Sequence, residues 1–350
     1  MNSIGWYDLQ GNHYLNKWIC EDENPHGHIT FNLYDDVFDS LDWTKEPEEP
    51  YVLLLKERAL QLRDEYDYIR LYYSSGSDSE TCLQTFMKNN IPIDEIVVVH
   101  QGTANNLDKL ESDREITRRA IPNLKKYESQ LPNTKISIFG TERDHFVKVF
   151  THSDYREIAQ VVHIKHMHYP SIAYQIFPEL QEIHNKTTKV CNLSPNLKPK
   201  LFLVDGIFYS NYNDTEVASF LIGENNVFFF TDPTFPKLHL KQLHLLKNYF
   251  KLHFPQVKEA FIHESSSYKY LIEDATRVKI DRSVDFLKHD PNQKDTFSSG
   301  VTILKVREAL KELYTLDRPL YDMFKNLSQN YLNKTLLVDA IKSKTYCLGT

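Results

Sequence analysis

The sequence predicts an α/β protein built on a parallel sheet, and three consecutive segments carry that prediction. Residues 68–73 are β-branched and aromatic, as in a strand, and residues 93–100 form a short apolar run of the kind found in buried strands. Between them, apolar side chains recur at helical spacing from Leu83 to Met87. A strand, a helix and a second strand within roughly 35 residues form a βαβ unit. We therefore expect the two strands to lie parallel in the core.

The segments around this unit predict further helices and strands. The run 51–66 predicts a helix because Leu55, Ala59 and Leu62 recur on one face. Pro122 predicts a kink or break in the helix expected over 111–127, since proline removes a backbone donor. Strand-like runs also occur at 135–140 and 200–207, and helical spacing at 154–166, 243–254, 303–313, 320–332 and 336–343.

Composition limits the classes of function. The chain has 350 residues, enough for a large core, and its 41 basic and 48 acidic side chains give a formal net charge of −7. This balance disfavours a general nucleic-acid-binding surface. No apolar stretch approaches the roughly 18 residues of a membrane span, and the first residues lack a signal-peptide layout, so no membrane and a cytoplasmic location are expected. The four cysteines form no Cys-x-x-Cys pair, which argues against a disulfide framework or a cysteine zinc site.

A run of small, mostly hydroxylated residues follows the first strand and precedes the crossover helix. It comprises Ser74, Ser75, Gly76, Ser77, Asp78 and Ser79, which we call the serine loop. A turn from a strand into a helix directs backbone amides and the positive end of the helix dipole at an anion, and serine hydroxyls add donors. Asp78 fits such a site if it binds a Mg²⁺ that shares the charge. The alternative is an ordinary turn in which Ser77 or Asp78 caps the helix.

The serine loop resembles the PP-loop of the ATP pyrophosphatase superfamily, whose pattern reads Ser-Gly-Gly-x-Asp-Ser/Thr. The chain departs from that pattern at Ser75, which replaces the first glycine. The resemblance implies a parallel-sheet fold of the adenine nucleotide α-hydrolase type, ATP and Mg²⁺ as cofactors, the serine loop around the pyrophosphate, and Asp78 on the metal. Three other segments look like phage-encoded relatives of the PP-loop synthetases, which would place the protein in a host cytoplasm: 41–43, 231–233 and 343–346.

Other candidate site residues lie at later strand ends and on later helices. His100 and Gln101 follow the second strand, where the backbone could contact adenine. Asp205 stands in the nearest match to the turn that supplies a second magnesium carboxylate in enzymes resembling asparagine synthetase, or else it simply ends a strand. Lys241 and Arg118 are candidates for stabilising charge at the phosphates. For Lys241 the alternative is a solvated helix face, and for Arg118 it is ion pairing along its own helix.

The predicted function is an ATP-dependent adenylating synthetase. A carboxylate or amide oxygen of an unidentified acceptor, small or macromolecular, would attack ATP and release pyrophosphate, and an amine or ammonia would then displace AMP. The alternative is a nucleotide-binding or assembly protein that retains the fold with reduced catalysis, which Ser75 and the incomplete second acidic motif favour. The predicted organisation is an N-terminal arm (1–50) packed on a nucleotide-binding α/β domain (51–280), with a helical C-terminal cover (281–350).

Overall fold

The computed structural model of the chain describes residues 5–14, 28–100, 116–140, 189–195, 200–212, 226–262, 318 and 341–350. The strands within these residues are β1 (Trp6–Leu9), β2 (Asn12–Tyr14), β3 (Ile29–Asn32), β4 (Tyr68–Tyr72), β5 (Glu95–His100), β6 (Lys135–Gly140), β7 (Val190–Ser194), β8 (Phe202–Val204), β9 (Ile207–Ser210), β10 (Asn226–Phe228), β11 (Ala260–Phe261) and β12 (Tyr346–Gly349). The α-helices are α1 (Asp35–Phe38), α2 (Tyr51–Glu65), α3 (Ser77–Lys88), α4 (Ile121–Tyr127) and α5 (Pro236–His253).

Five strands form a parallel sheet in the order β10-β7-β4-β5-β6. The chain enters at β4 in the middle, adds β5 and β6 on one side, and then adds β7 and β10 on the other. The order therefore reverses between β4 and β7. In open parallel sheets, ligands bind in the crevice at such a reversal, beyond the carboxyl ends of the strands. The predicted α/β class and the unit β4-α3-β5 are confirmed.

The two helices that flank β4 lie where the sequence predicts them. α2 occupies the run 51–65 and buries Leu55, Ala59 and Leu62. α3 ends at Lys88, and Asn90 follows in the left-handed conformation with φ 54°. Asparagine tolerates this conformation after a helix, where the reversed backbone satisfies the last carbonyl groups of the helix.

The helix predicted over 111–127 has a shorter α-helical part. Residues 116–120 form a π-helical turn, and α4 begins at Ile121 with Pro122 in its first turn. Pro122 has no N–H to continue the preceding ladder, so the hydrogen-bond pattern restarts there. Leu124 and Tyr127 then pack into the same core as α3. Residues 111–115 lie outside the described part of the chain.

The other strands form two antiparallel sheets that the sequence did not predict. β1, β2 and β3 pair in the order β2-β1-β3, so the segment predicted as an N-terminal arm contains a sheet. The strand predicted over 200–207 is instead a hairpin, β8 and β9, in a sheet of order β11-β8-β9-β12. Residues 341–343 of the helix predicted over 336–343 are not helical, and β12 follows them as the partner of β9.

Two hydrophobic cores hold the sheets. One lies between a face of the parallel sheet, including Ile69 and Leu71, and helices α2, α3 and α4. The other lies among the antiparallel sheets and α5, and includes Tyr7 and Phe208. Leu245 of α5 packs against both cores and so connects them. None of the described helices is long and apolar enough to cross a bilayer.

The opposite face of the parallel sheet carries a buried charged network. The side chains of Arg70 on β4 and Glu95 on β5 are fully buried, with Arg70 Nε 2.8 Å from Glu95 Oε2. Arg70 also donates to Asn192 on β7, and Ser137 on β6 donates to Glu95. Burial alone would raise the pKa of Glu95, but the hydrogen bonds from Ser137 and Arg70 outweigh it and hold this pKa below its usual range. Side chains thus connect four adjacent strands in addition to the backbone ladder.

Candidate functional site

The serine loop joins β4 to α3 at the reversal of strand order. Tyr73 extends the ladder beyond β4, because its N–H donates to the carbonyl of Val97 at 2.9 Å. Ser75 then adopts the left-handed conformation with φ 62°, and Gly76 returns to extended backbone with φ −68° and ψ 164°. The first turn of α3 closes where the N–H of Glu80 donates to the carbonyl of Gly76 at 2.9 Å. The chain therefore turns within three residues from a buried strand into a helix.

The N-cap residue of α3 is a glycine. Gly76 has no side chain that could accept a hydrogen bond from the first-turn amides, and Ser77 and Asp78 are the first two helical residues. The alternative in which Ser77 or Asp78 is the N-cap residue is therefore wrong. First-turn amides of an α-helix have no intrahelical acceptor, so a start with a glycine N-cap favours an anion.

Two hydroxyls line the turn at long hydrogen-bond distances. The Oγ atoms of Ser74 and Ser79 lie 3.3 Å apart, and the Ser79 Oγ also lies 3.3 Å from the N–H of Ser74. The N–H of Gly76 donates to Ser74 Oγ at 3.3 Å. These distances are at or beyond the upper end of the usual range for hydrogen bonds. The Ser79 hydroxyl also donates to the carbonyl of Gly76 at 3.2 Å. The internal bonds are accordingly weak, so both hydroxyls can rotate toward a stronger acceptor.

Asn123 of α4 contacts the turn through the side chain of Ser75. Its Nδ2 donates to the Oγ of Ser75 at 2.7 Å, and Ser75 and Asn123 are 1% and 6% exposed. The Oδ1 atom of Asn123 is buried and accepts no hydrogen bond in the described part of the chain. A buried acceptor without a donor costs free energy, so this carboxamide is available to one more donor beside the loop.

A buried carboxylate, Glu80, fixes the base of α3. It accepts hydrogen bonds from the hydroxyls of Tyr73 and Tyr127 and from the side-chain amide of Gln84. Glu80 is 1% exposed. Burial and then the charge of Glu80 raise the pKa of Tyr73 above its usual range, which keeps that hydroxyl protonated and donating. Hydrogen bonds to the Glu80 carboxylate thereby connect three parts of the structure: the end of β4, helix α3 and helix α4.

Asp78 lies half-buried in the first turn of α3. Its charge acts on Tyr51 at the start of α2, where burial first and Asp78 in addition raise the pKa of the phenol. The Tyr51 hydroxyl accepts a hydrogen bond from Gln242 Nε2 of α5 at 2.7 Å. Asp78 therefore lies near enough to the start of α2 for its charge to act on the Tyr51 phenol, which itself contacts α5.

The other residues predicted at this edge are described only in part. His100 is the last residue of β5, at the same edge of the sheet as the serine loop, but its side chain lies outside the described part, as does the side chain of Ser77. Gln101 lies outside the described residues altogether. Arg118 is in the π-helical turn before α4, and only its backbone is described.

Lys241 has a different environment from the one predicted. Its ammonium lies 2.7 Å from Glu46 Oε1 and donates to the carbonyl of Pro47 at 2.8 Å. The same face of α5 continues the pattern, because Lys237 pairs with Glu49 and His244 contacts the carbonyl of Trp43. Lys241, which was expected at the phosphates, thus fastens α5 to the segment before α2.

Asp205 also differs from expectation. It occupies the two-residue turn between β8 and β9 with φ 50°, followed by Gly206 with φ 78°, and its side chain is exposed. An Asp-Gly pair with two positive φ angles is typical of a hairpin turn that matches the twist of antiparallel strands. Asp205 therefore follows the end of a strand in the antiparallel sheet, which agrees with the alternative in which it simply ends a strand.

Sequence reasoning missed the residues that support the serine loop. Helical spacing puts Glu80 beside Leu83 on the apolar face of α3, and an acid on such a face is a signal of burial that could have been used. Tyr127 falls on the buried face of α4 beside Leu124, which identifies it as a core residue without indicating its bond to Glu80. For Asn123 no pattern in the sequence indicates a contact with Ser75, 48 residues away.

Comparisons with known proteins add no family to these observations. No protein-family model matches the chain, and no curated protein or solved structure is significantly similar to it. Any functional assignment therefore depends on the geometry of the serine loop and its supports.

Proposed function

We propose that the serine loop binds the triphosphate of ATP with Mg²⁺ and that the protein is an adenylating synthetase of the PP-loop kind, on a sheet of the adenine nucleotide α-hydrolase type. One observation carries the proposal: a left-handed turn at Ser75 leads into a helix whose N-cap residue is Gly76, at the reversal of strand order. Both the helix start and the crevice at the reversal favour a phosphate. The hydroxyls of Ser74 and Ser79 would replace their long internal bonds with bonds to phosphate oxygens.

Asp78 is the residue that would hold the metal ion. Within the described residues, no group of three or more His, Cys, Asp or Glu side chains forms a metal cluster. Mg²⁺ commonly takes only one or two carboxylates and completes its octahedron with phosphate oxygens and water. A single half-buried carboxylate in the first turn of α3 fits that donor set, and Mg²⁺ there would neutralise phosphate charge. Asp205, exposed in a hairpin turn, is not needed for it.

In the proposed reaction, a carboxylate or amide oxygen of the acceptor attacks the α-phosphorus of ATP. The bond from that phosphorus to the bridging oxygen breaks, and pyrophosphate leaves with the electron pair. An amine or ammonia then attacks the activated carbon and displaces AMP. The serine loop would stabilise the charge that accumulates on pyrophosphate, which is the usual contribution of such loops. Arg118 remains the candidate for a cationic group near the phosphates.

A second candidate is a protein that binds nucleotide with little or no turnover. The environment of Lys241 favours it, because the ammonium is already paired with Glu46 and a backbone carbonyl. The exposed hairpin position of Asp205 favours it as well, since Asp205 then supplies no second carboxylate to the metal. Both observations reduce the catalytic groups near the serine loop without affecting its ability to bind phosphate.

Calorimetric titration with ATP and Mg²⁺ tests the binding step. Asp78→Asn should weaken binding by about tenfold or more, because the metal loses its protein charge, while Asp205→Asn should leave it unchanged. Equal effects of the two variants, or no binding by the parent protein, would reject the proposal. Asp205→Asn is the matched control, since it makes the same chemical change at an exposed aspartate.

Pyrophosphate release separates the two candidates. The parent protein and Asp78→Asn are incubated with ATP, Mg²⁺ and a metabolite extract that supplies acceptors and amines. Release that requires the extract and is lost in Asp78→Asn supports the synthetase. Tight binding without release supports the nucleotide-binding protein.

A further inference from the structure

The serine loop contains a residue whose backbone conformation its side chain disfavours. Ser75 has φ 62°, a region that non-glycine residues adopt infrequently. The PP-loop pattern that this segment resembles has glycine at the same position, which takes a positive φ at no steric cost. The chain therefore requires an interaction that holds Ser75 in place where glycine would need none.

We propose that Asn123 is a positioning residue that holds the serine loop in its binding conformation through the side chain of Ser75. The hydrogen bond from Asn123 Nδ2 to Ser75 Oγ, at 2.7 Å, is the shortest one described for the loop residues. Both side chains are at least nine-tenths buried, so water does not compete readily for the bond. The inference rests on the proposed function, because the conformation matters through the anion that the loop binds.

The position of α4 makes Asn123 a stable support. Pro122 starts the helix in its first turn, and Leu124 packs into the core beneath the parallel sheet. One turn later, Tyr127 donates to Glu80 of α3. α4 thus contacts both sides of the loop, through Asn123 at the left-handed residue and through Tyr127 at the helix that follows. A displacement of α4 would move both contacts together.

The inference predicts a conditional effect of Asn123. Where residue 75 is serine, loss of the Asn123 side-chain amide allows Ser75 to leave its unfavourable conformation. The backbone N–H groups at the start of α3 then lose their alignment. Where residue 75 is changed to glycine, the same backbone angles need no support. Asn123 should therefore matter in the parent protein and matter much less in the Ser75→Gly background. A residue that only fills space in the core would have the same effect in both.

Thermal unfolding of four proteins tests this without any nucleotide: the parent, Asn123→Ala, Ser75→Gly and the double variant. Asn123→Ala should lower the Tm by about 2–4 °C in the parent and by about half as much or less in the Ser75→Gly background. Ser75→Ala, which keeps the disfavoured angle and loses the hydroxyl, should resemble Asn123→Ala. Equal losses in both backgrounds would overturn the proposal. Should Asn123→Ala fail to fold, Asn123→Asp keeps the size of the side chain and removes the amide that donates to Ser75.

Binding of ATP with Mg²⁺ to the same four proteins tests the functional consequence. Asn123→Ala should raise the Kd about five- to tenfold, and adding Ser75→Gly should bring it back to within about twofold of the parent. Loss of affinity without rescue by Ser75→Gly would overturn the positioning role. If the parent does not bind ATP, the proposed function fails, and the thermal comparison alone decides whether Asn123 supports Ser75.

Discussion

The predicted unit β4-α3-β5 of the parallel-sheet half is continuous in the sequence, whereas the antiparallel sheet of β11, β8, β9 and β12 joins distant segments. In the parallel half, Arg70 and Glu95 on adjacent strands are 25 residues apart. In the antiparallel half, Asn211 beside β9 donates to Thr345 beside β12, 134 residues later. β4, α3, β5 and β6 were predicted from local patterns, because they follow one another in a continuous stretch of the parallel half. β7 and β10, which complete the parallel sheet, and β12, which completes the antiparallel one, are distant in the sequence from their partners and were not predicted.

The two halves also bury polar groups in opposite ways. The parallel half buries an ion pair, Arg70 with Glu95, and satisfies it with neighbouring donors and acceptors. The antiparallel half buries a neutral imidazole, His239, among aromatic rings and next to the hydroxyls of Thr231 and Tyr212. A buried ion pair on the sheet face of one half and a buried neutral imidazole in the other make the two halves respond differently to substitution and to acid.

The largest effect is expected from breaking the ion pair of the parallel half. Glu95→Gln would leave the Arg70 guanidinium buried without a charged partner, which costs about 3–5 kcal/mol of unfolding free energy. Denaturant unfolding measures this loss. Lys135→Gln is the matched control, because Lys135 also contacts Glu95 but its side chain is 52% exposed, so a loss below about 1 kcal/mol is expected. Similar losses in the two variants would contradict a role for burial.

Acid should destabilise the antiparallel half through His239. Burial lowers the pKa of His239 from 6.5 to about 3. On acidification the unfolded chain therefore binds the proton first, so stability is complete above pH 6.5 and is lost as the pH falls toward 3. The loss is about 1.4 kcal/mol per pH unit, or on the order of 3 kcal/mol at pH 4. His239→Gln should reduce the slope of unfolding free energy against pH by about one proton, and an unchanged slope would exclude His239 as the cause.

A smaller effect is expected where α5 meets the segment before α2. Lys241→Met keeps the aliphatic stem and removes the bonds to Glu46 and Pro47, at a cost of about 1–2 kcal/mol. Affinity for ATP should not change, since these contacts lie within the antiparallel half and its junction with α2. A large loss of affinity with normal stability would instead restore Lys241 as a residue of the phosphate site.

The smallest effect is expected at the hairpin turn. Asp205→Asn keeps a side chain that accepts positive φ angles, so the change in unfolding free energy should stay within about 0.5 kcal/mol. Ser75 also has a positive φ, but it is buried and bonded to Asn123, and its substitution should cost more. Thermal unfolding of Asp205→Asn and Ser75→Ala compares the two turns. Equal Tm values would mean that the support beneath Ser75 adds no stability.

The sequence predicted the parts of the fold that have their own periodicity. Leu83 and Phe86 mark the buried face of α3, and the apolar run before His100 marks β5, because helix and strand each impose a spacing on the side chains they bury. β8 and β9 are three and four residues long, too short to show a period. In the sequence the two strands look like one continuous apolar strand. Only the Asp205-Gly206 pair indicates that the chain turns between them.

The sequence predicted where the candidate site lies better than it predicted which residues surround it. The serine loop was identified because its residues are contiguous and lie between a strand and a helix. Lys241 was misplaced because spacing identifies a helix face and cannot show that Glu46 lies opposite it. Asn123 and Glu80 were missed for the same reason, since each acts through a contact made only when α3, α4 and the loop come together.

The stacking of Trp43 on Tyr346 supplies an optical probe of the antiparallel half. The two rings are nearly parallel, with centroids 4.2 Å apart, and the indole Nε1 donates to the carbonyl of Phe38 at 2.8 Å. Of the three tryptophans, replacing Trp6 and Trp18 by phenylalanine would leave this indole as the sole long-wavelength fluorophore. Its emission would then follow the docking of β12 during refolding, separately from the formation of the parallel sheet.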